Sequence, residues 1–155
     1  MASVQNQVEV QGTFKNDTFA KLELMHMEIY SGHFADGGPN AVLEQGDKTT
    51  FKHIGEPSPE GSKVGVSYRG PNDDQWVFAW HAPGPYPVEL PAIELKKKVF
   101  GKHFRAGESI DWKKIEKELD ESTTSEINTP YFKAALTPAG TNARLDVGFL
   151  NLPRN

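Results

Sequence analysis

The residues best suited to acid–base chemistry or metal binding are five histidines scattered along the chain. They are His26, His33, His53, His81 and His103. No two of them have the i, i+4 spacing of a zinc-binding helix. Cysteine is absent, which excludes disulfides and thiolate metal sites. We therefore expect no metal and no cofactor.

Other catalytic signatures are also missing from the sequence. It contains no G-x-S-x-G nucleophile motif, no P-loop and no dinucleotide fingerprint. Paired acids such as Asp73 and Asp74 are unsurprising in a chain with 21 acidic residues. These observations favour a non-catalytic protein over an enzyme. The alternative is a small enzyme with His33 or His81 as acid–base, and Asp36, Asp73 or Asp74 as its partner.

Aromatic and polar side chains cluster where predicted strands end, and they form the candidate ligand-binding site. The candidate residues are Tyr30, His33, Phe34, Trp80, His81 and Tyr86. Tyr86 stands among three prolines, which present it on a stiff loop. If these strand ends meet, the rings offer apolar contact and the polar tips offer hydrogen bonds. This pattern favours a small amphipathic ligand, a glycan or a lipid headgroup.

A hairpin rich in tryptophan is predicted to form the centre of the fold. Apolar residues alternate with small ones over Val64–Tyr68, the period of a half-buried strand. Turn-forming residues follow over Arg69–Asp74. The next strand, Trp76–Trp80, is apolar at every position, so we expect it to be covered on both faces.

The remaining pattern predicts short strands and a helix. The further predicted strands are Gln7–Phe14, Phe19–Tyr30, Thr49–Ile54, Val88–Phe100, Pro130–Leu136 and Arg144–Leu150. We expect both faces of Phe19–Tyr30 to be covered over its second half, and Ser31–Lys48 to be irregular. The helix is predicted over Ser109–Glu121, with Ser109 as N-cap and Trp112 turned inward.

These elements predict a mainly β protein with one domain spanning residues 1–155. The expected architecture is an antiparallel β-sandwich of about eight or nine strands with one amphipathic surface helix. An exposed strand edge in such a sandwich would allow self-association into a homo-oligomer.

Charge and composition narrow the possible partners and compartment. The net charge of −4 disfavours nucleic acid, whose binding depends on excess Lys and Arg. We interpret the basic run Lys96–Lys98 as the solvated face of an edge strand. The first residues lack a signal-peptide pattern, and no stretch approaches the roughly 20 apolar residues of a membrane span. We therefore expect a soluble cytoplasmic protein.

Four motifs follow one another along the chain. They are Tyr30-Ser31-Gly32-His33, Gln45-Gly46 before Phe51-Lys52-His53, Gly61–Gly70, and Trp76–Trp80 with Pro83. In this order they resemble the small jasmonate-induced proteins of plants. The similarity is best over Asp17–Pro83, and Thr129–Leu136 is like the closing strand of that family. The resemblance implies a stress- or defence-related role.

A wider similarity connects the pattern with aegerolysins and actinoporins, β-sandwich proteins that recognise membrane lipids. Their hairpin ending in W-x-x-P before a tyrosine-bearing loop is similar to Trp80–Tyr86. The resemblance thus implies a lipid-binding or glycan-binding sandwich of actinoporin or aegerolysin type. The strand-like pattern of Val4–Phe14 leaves no amphipathic N-terminal helix, so we do not expect pore formation.

Overall fold

The protein is a sandwich of two β-sheets, seen in a computed structural model that describes residues 7–84, 96–140 and 142–151. The six-stranded sheet has the order β3-β5-β1-β11-β10-β9, and the five-stranded sheet has the order β4-β2-β6-β7-β8. The elements are β1 Glu9–Asp17, β2 Leu22–Ser31, β3 His33–Ala35, β4 Val42–Leu43, β5 Lys48–Ile54, β6 Ser62–Arg69, β7 Gln75–Ala82, β8 Lys98–Phe104, α1 Trp112–Glu121, β9 Glu126–Asn128, β10 Phe132–Ala139 and β11 Asn142–Leu150. The predicted sandwich with one helix is confirmed. Its described part contains more strands than expected, because β3, β4 and β9 are two or three residues long.

The tryptophan-rich hairpin occupies the middle of the five-stranded sheet, as predicted. Strand β7 pairs with β6 on one side and β8 on the other, with Trp80 opposite Val64 and Val99. Trp76, Phe78 and Trp80 join the core between the sheets. Val77 and Ala79 point to the opposite face and pack with α1. Because β7 is covered on both faces, it requires apolar residues at consecutive positions.

The six-stranded sheet contains a parallel pair at its centre. Strand β1 runs parallel to β11 and antiparallel to β5. The other pairings between described strands are antiparallel. Phe14 projects from β1 into the core and is fully buried. The alternation of buried and exposed residues along β1 matches its predicted pattern.

The helix begins later than the sequence suggested. Its N-cap is Asp111, whose carboxylate accepts hydrogen bonds from the amides of Lys113 and Lys114. The prediction of Ser109 as N-cap was wrong because Asp111 stands where its side chain reaches those first-turn amides. Ile115 and Leu119 are buried against β7, so the inward face of α1 was located correctly. No helix among the described residues has the length and apolar character that crossing a bilayer requires.

Strand β2 is less covered than predicted. Met25 and Ile29 are nearly half exposed. Strand β4 pairs only with Leu22 and Glu23, so the rest of β2 forms the edge of the sheet. A longer neighbouring strand would be needed to shield this edge of β2. The segment of residues 31–48 provides only the two-residue β4 as its neighbour.

The last strand of the five-stranded sheet, β8, overlaps in sequence with only the end of the predicted Val88–Phe100 strand. Residues 85–95 lie outside the described structure, and β8 begins at Lys98. It is an edge strand, as the interpretation of the lysine run required. The run is not a purely solvated face, since the ammonium groups of Lys96 and Lys98 donate to the carbonyls of Thr123 and Asp120. The sequence of β8 places His103 opposite Trp76.

Candidate functional site

Three of the predicted binding residues, Tyr30, His33 and Phe34, lie at the end of β2 and in β3. This part of the chain lies close to the end of β7. The Ser31 hydroxyl donates a hydrogen bond of 2.8 Å to the carbonyl of Gly61. Gly61 has a φ of +54°, and a Cβ there would lie 2.3 Å from the carbonyl oxygen of Ala82. The segments that carry His33 and His81 therefore meet at one end of the sandwich, which we call the rim. Tyr86 lies outside the described residues.

At the rim, the predicted residues fall into two layers. Phe34 and Trp80 pack together with ring centroids 6.4 Å apart, and Trp80 is fully buried. Tyr30 and His81 lie on the other face of the sheet, near Lys63. His33 is exposed. The five predicted residues that the structure describes thus lie at one end of the sandwich. They do not form one continuous surface, because the sheet lies between the two layers.

The inner layer is tied together by Ser62. Its hydroxyl oxygen accepts a 2.9 Å hydrogen bond from the Trp80 indole and lies 2.8 Å from Nδ1 of His53. His53 is fully buried, and its Nε2 has no hydrogen-bond partner in the described structure. Burial, together with the nearby charge of His33, lowers the pKa of His53 to about 4. His53 is therefore neutral near pH 7 and acts as part of the core.

The outer layer attaches α1 to the sheet through Lys63. The Lys63 ammonium lies 2.8 Å from Asp120 and 2.9 Å from Glu116, and its side chain is 4% exposed. Burial opposes this charge, but the hydrogen bonds to Asp120 and Glu116 outweigh it and raise the pKa of Lys63. Tyr30 donates a hydrogen bond of 2.5 Å to the carbonyl of Trp112, and burial raises its pKa. These contacts position the helix.

Neutralising the two helix carboxylates should weaken this attachment. We expect Glu116→Gln with Asp120→Asn to lower the free energy of unfolding by roughly 1–2 kcal/mol, because a buried ammonium loses its closest partners while both carboxylates are partly screened by solvent. Urea unfolding measures the change. Glu118→Gln with Glu121→Gln removes the same charge from the same helix and is the control. Equal loss in both double variants would contradict the role of Lys63.

A cavity of about 320 Å³ opens at the opposite end of the sandwich, and we call it the end pocket. Its lining includes Phe19, Asn72, Asp74, Trp76, His103, Tyr131 and Asn151. These residues come from the β1–β2 and β6–β7 turns, strands β7 and β8, and the segments flanking β10 and β11.

The end pocket is built around His103. Its Nε2 lies 2.8 Å from Oδ2 of Asp74. The imidazole stacks on Tyr131 with ring centroids 4.0 Å apart and planes inclined by 4°. The Trp76 ring packs against it at an interplanar angle of 75°, with ring centroids 4.7 Å apart. Two aromatic rings and a carboxylate thus hold the imidazole in place, and the arrangement combines apolar faces with hydrogen-bonding groups.

Local backbone structure explains the position of Asp74. The Gly70 amide donates to the carbonyl of Asp74 at 2.9 Å, which closes the turn between β6 and β7. Asp73 has a φ of +63°, a conformation that Asp and Asn adopt more readily than most residues. A Cβ on Gly70 would lie 2.8 Å from the Trp76 ring and 2.9 Å from Oδ1 of Asp74. Glycine therefore allows Asp74 to lie close to the turn and reach His103.

His103 and Tyr131 were not predicted as site residues. Asp74 was predicted as a possible partner for His33 or His81, whereas the structure pairs it with His103. The available signal was the predicted hairpin with an acid just before Trp76. The pairing itself depends on the register of β7 and β8, which places His103 opposite Trp76.

Two further cavities lie against the six-stranded sheet. One of about 530 Å³ has Lys15, Asp17, Lys133 and Asp146 in its lining. The other, of about 600 Å³, includes Thr13 and Lys52. Such mixed charge is typical of the solvated face of an antiparallel sheet. Within the described ranges, no group of three or more metal-ligating side chains forms a candidate metal site.

Comparison with known proteins identifies the fold. No protein-family model and no curated protein sequence matches the chain. Among solved structures, the lipid-binding protein Nakanori is similar with a TM-score of 0.73 and 18% identity, covering 93% of this chain and 71% of that one. The wild-type lectin XCL of Xerocomus chrysenteron is similar with a TM-score of 0.52 and 10% identity, covering 92% and 99% of the two chains. The protein therefore has a β-sandwich fold that is also found in a lipid-binding protein and in a fungal lectin.

Proposed function

We propose that this protein is a non-catalytic binding protein for a glycan, a lipid headgroup or another small amphipathic ligand. The end pocket carries the proposal, because two aromatic rings there pack against an imidazole that is paired with a carboxylate, in a cavity of about 320 Å³. Ligand sites commonly combine apolar walls with a few fixed polar groups. Fold neighbours that bind lipid, or that are lectins, support the same class of function.

The sequence resemblance adds biological context to this proposal. The motifs that resemble the small jasmonate-induced proteins of plants suggest membership of that family and a stress or defence role, and we propose that the protein acts in the cytoplasm. The rim is a second candidate surface for the ligand. It contains the exposed His33 and adjoins the chain segment that leads to Tyr86.

The two ends of the sandwich allow each site to serve as the control for the other. We expect wild type to bind members of combined glycan and lipid arrays. Phe19→Ala and Asn72→Ala should reduce that binding at least fivefold, because both side chains line the end pocket. His33→Ala and Tyr86→Ala should bind as wild type. Loss confined to the rim variants would place the ligand at the rim, and absence of any binding would refute the proposed function.

A second candidate function is that of a small enzyme. The 2.8 Å contact between His103 and Asp74 favours it, because a carboxylate can orient an imidazole for acid–base work. Incubation of each bound ligand, followed by mass spectrometry, separates the two candidates. A binding protein returns the ligand unchanged. Conversion that is lost in His103→Gln while binding persists would establish catalysis.

A further inference from the structure

The charge of the end pocket discriminates between the two proposed ligand classes. Its described lining includes one acid, Asp74, and one histidine, His103, which is engaged with that acid. It includes no lysine and no arginine. A ligand that enters this cavity therefore meets acceptors and a carboxylate, and no permanent cation.

Two of the basic side chains near the lining residues along the chain are engaged elsewhere. Arg69, at the start of the same turn, lies 3.1 Å from Glu23 and 3.8 Å from Asp73. Lys102, beside His103, places its ammonium 5.0 Å from the ring centre of Phe104. A phosphate in the pocket would lose water without gaining a fixed cationic partner. Burying an unpaired charge is strongly unfavourable.

A neutral sugar matches the same groups better. Asp74 accepts a hydrogen bond from His103 through Oδ2, while Oδ1 is buried without a partner in the described structure. The side chain as a whole is 25% exposed, and each oxygen of an ionised carboxylate has about two acceptor positions, so Oδ2 keeps capacity for a ligand hydroxyl. Asn72 and Asn151 contribute amides to the lining.

The apolar part of the lining suits the carbon face of a sugar ring. Phe19 is 58% exposed beside the cavity. The Tyr131 ring stacks on one face of the His103 imidazole. A volume of about 320 Å³ lies near the lower bound of small-molecule sites, which is about 300 Å³. A compact ligand of about one sugar ring is the appropriate size.

We infer that the end pocket binds a neutral sugar, free or as the head of a glycolipid, and that it does not bind the phosphate-bearing headgroup of a phospholipid. The inference rests on the proposed function and selects one of its ligand classes. Sugar hydroxyls would donate to Asp74, and the sugar ring would contact Phe19. Neither contact needs a cation.

The turn itself offers a matched pair of variants. Asp74→Asn removes the carboxylate that lines the pocket, and Asp73→Asn removes its neighbour, which does not line the pocket. Asn is compatible with the positive φ of Asp73. We expect Asp74→Asn to weaken sugar binding about tenfold to a hundredfold, as for loss of hydrogen bonds to a charged acceptor. Asp73→Asn should bind as wild type.

The experiment uses NMR titration of the labelled protein with neutral methyl glycosides, phosphocholine and inorganic phosphate. Parallel sedimentation uses phosphatidylcholine vesicles with and without glucosylceramide. The inference predicts shifts at Phe19 and His103 with a glycoside, and no response of these residues to the phosphate probes. Vesicle binding that requires glucosylceramide would identify a glycolipid head as the source of the sugar.

Two results would overturn the inference in different ways. Binding of phosphocholine or plain phosphatidylcholine vesicles at the end pocket removes the sugar assignment but leaves the proposed function standing. No response of the pocket to any glycan or lipid probe removes both. If Asp74→Asn fails to fold, Asn72→Ala replaces it, because Asn72 is exposed in the turn and lines the pocket.

Discussion

Replacing Phe14 by alanine is expected to lower the free energy of unfolding by about 3–5 kcal/mol, the usual cost of removing a buried aromatic ring. Phe14 is fully buried in the centre of the core. Five aromatic rings surround it, with centroid distances from 4.7 to 6.5 Å, and they are Phe51, Tyr68, Phe78, Trp80 and Phe149. These rings come from both sheets, so the cavity cannot close by moving one strand.

Urea unfolding followed by tryptophan fluorescence measures this effect. Phe19→Ala is the control, because it deletes the same ring from a position that is 58% exposed, and its cost should stay below about 1 kcal/mol. A comparable loss in the two variants would show that Phe14 is not the centre of the packing.

Acidification should destabilise the protein through His53. Its pKa falls from an ordinary value of 6.5 to about 4 in the folded state. Between these values the unfolded chain binds the proton and the folded chain does not, so stability decreases as pH falls from about 6.5 to about 4. With about 1.4 kcal/mol for each pKa unit, the loss is on the order of 3 kcal/mol. Below pH 4 this contribution becomes constant.

Comparison of wild type with His53→Gln isolates this effect from other titrating groups. The free energy of unfolding is measured in urea at a series of pH values from 4 to 7. His81 also has a lowered pKa, caused mainly by burial, and it remains present in both proteins. The difference in stability between them should therefore shrink towards acid pH. Parallel pH curves would show that His53 is not protonated on unfolding.

Much of the architecture was predictable from local pattern. The continuous apolar run Trp76–Trp80 requires cover on two faces, and the structure provides the opposing sheet on one side and α1 on the other. The inward stripe of Ile115 and Leu119 predicted how the helix packs. These predictions succeeded because periodicity reports burial directly.

Edges and short strands were less predictable. The sequence of β2 is apolar at Met25 and Ile29, which suggested cover, yet both lie at an edge. Whether a strand has a neighbour depends on a remote segment, here the two-residue β4. The parallel pairing of β1 with β11 joins residues more than 130 positions apart, and it has no local signature.

The sequence by itself determined the class of the molecule, since residue alternation, turn residues and the absence of cysteine restrict the chain to a β-sandwich without disulfides. It also located the segments that form the rim. Only the tertiary structure decided which chemical groups meet. Asp74, His103 and Tyr131 belong to different segments, and strand register and sheet packing bring them within hydrogen-bonding and stacking distance. Contacts of this kind depend on distances of a few ångströms between remote residues, which periodicity along one strand does not encode.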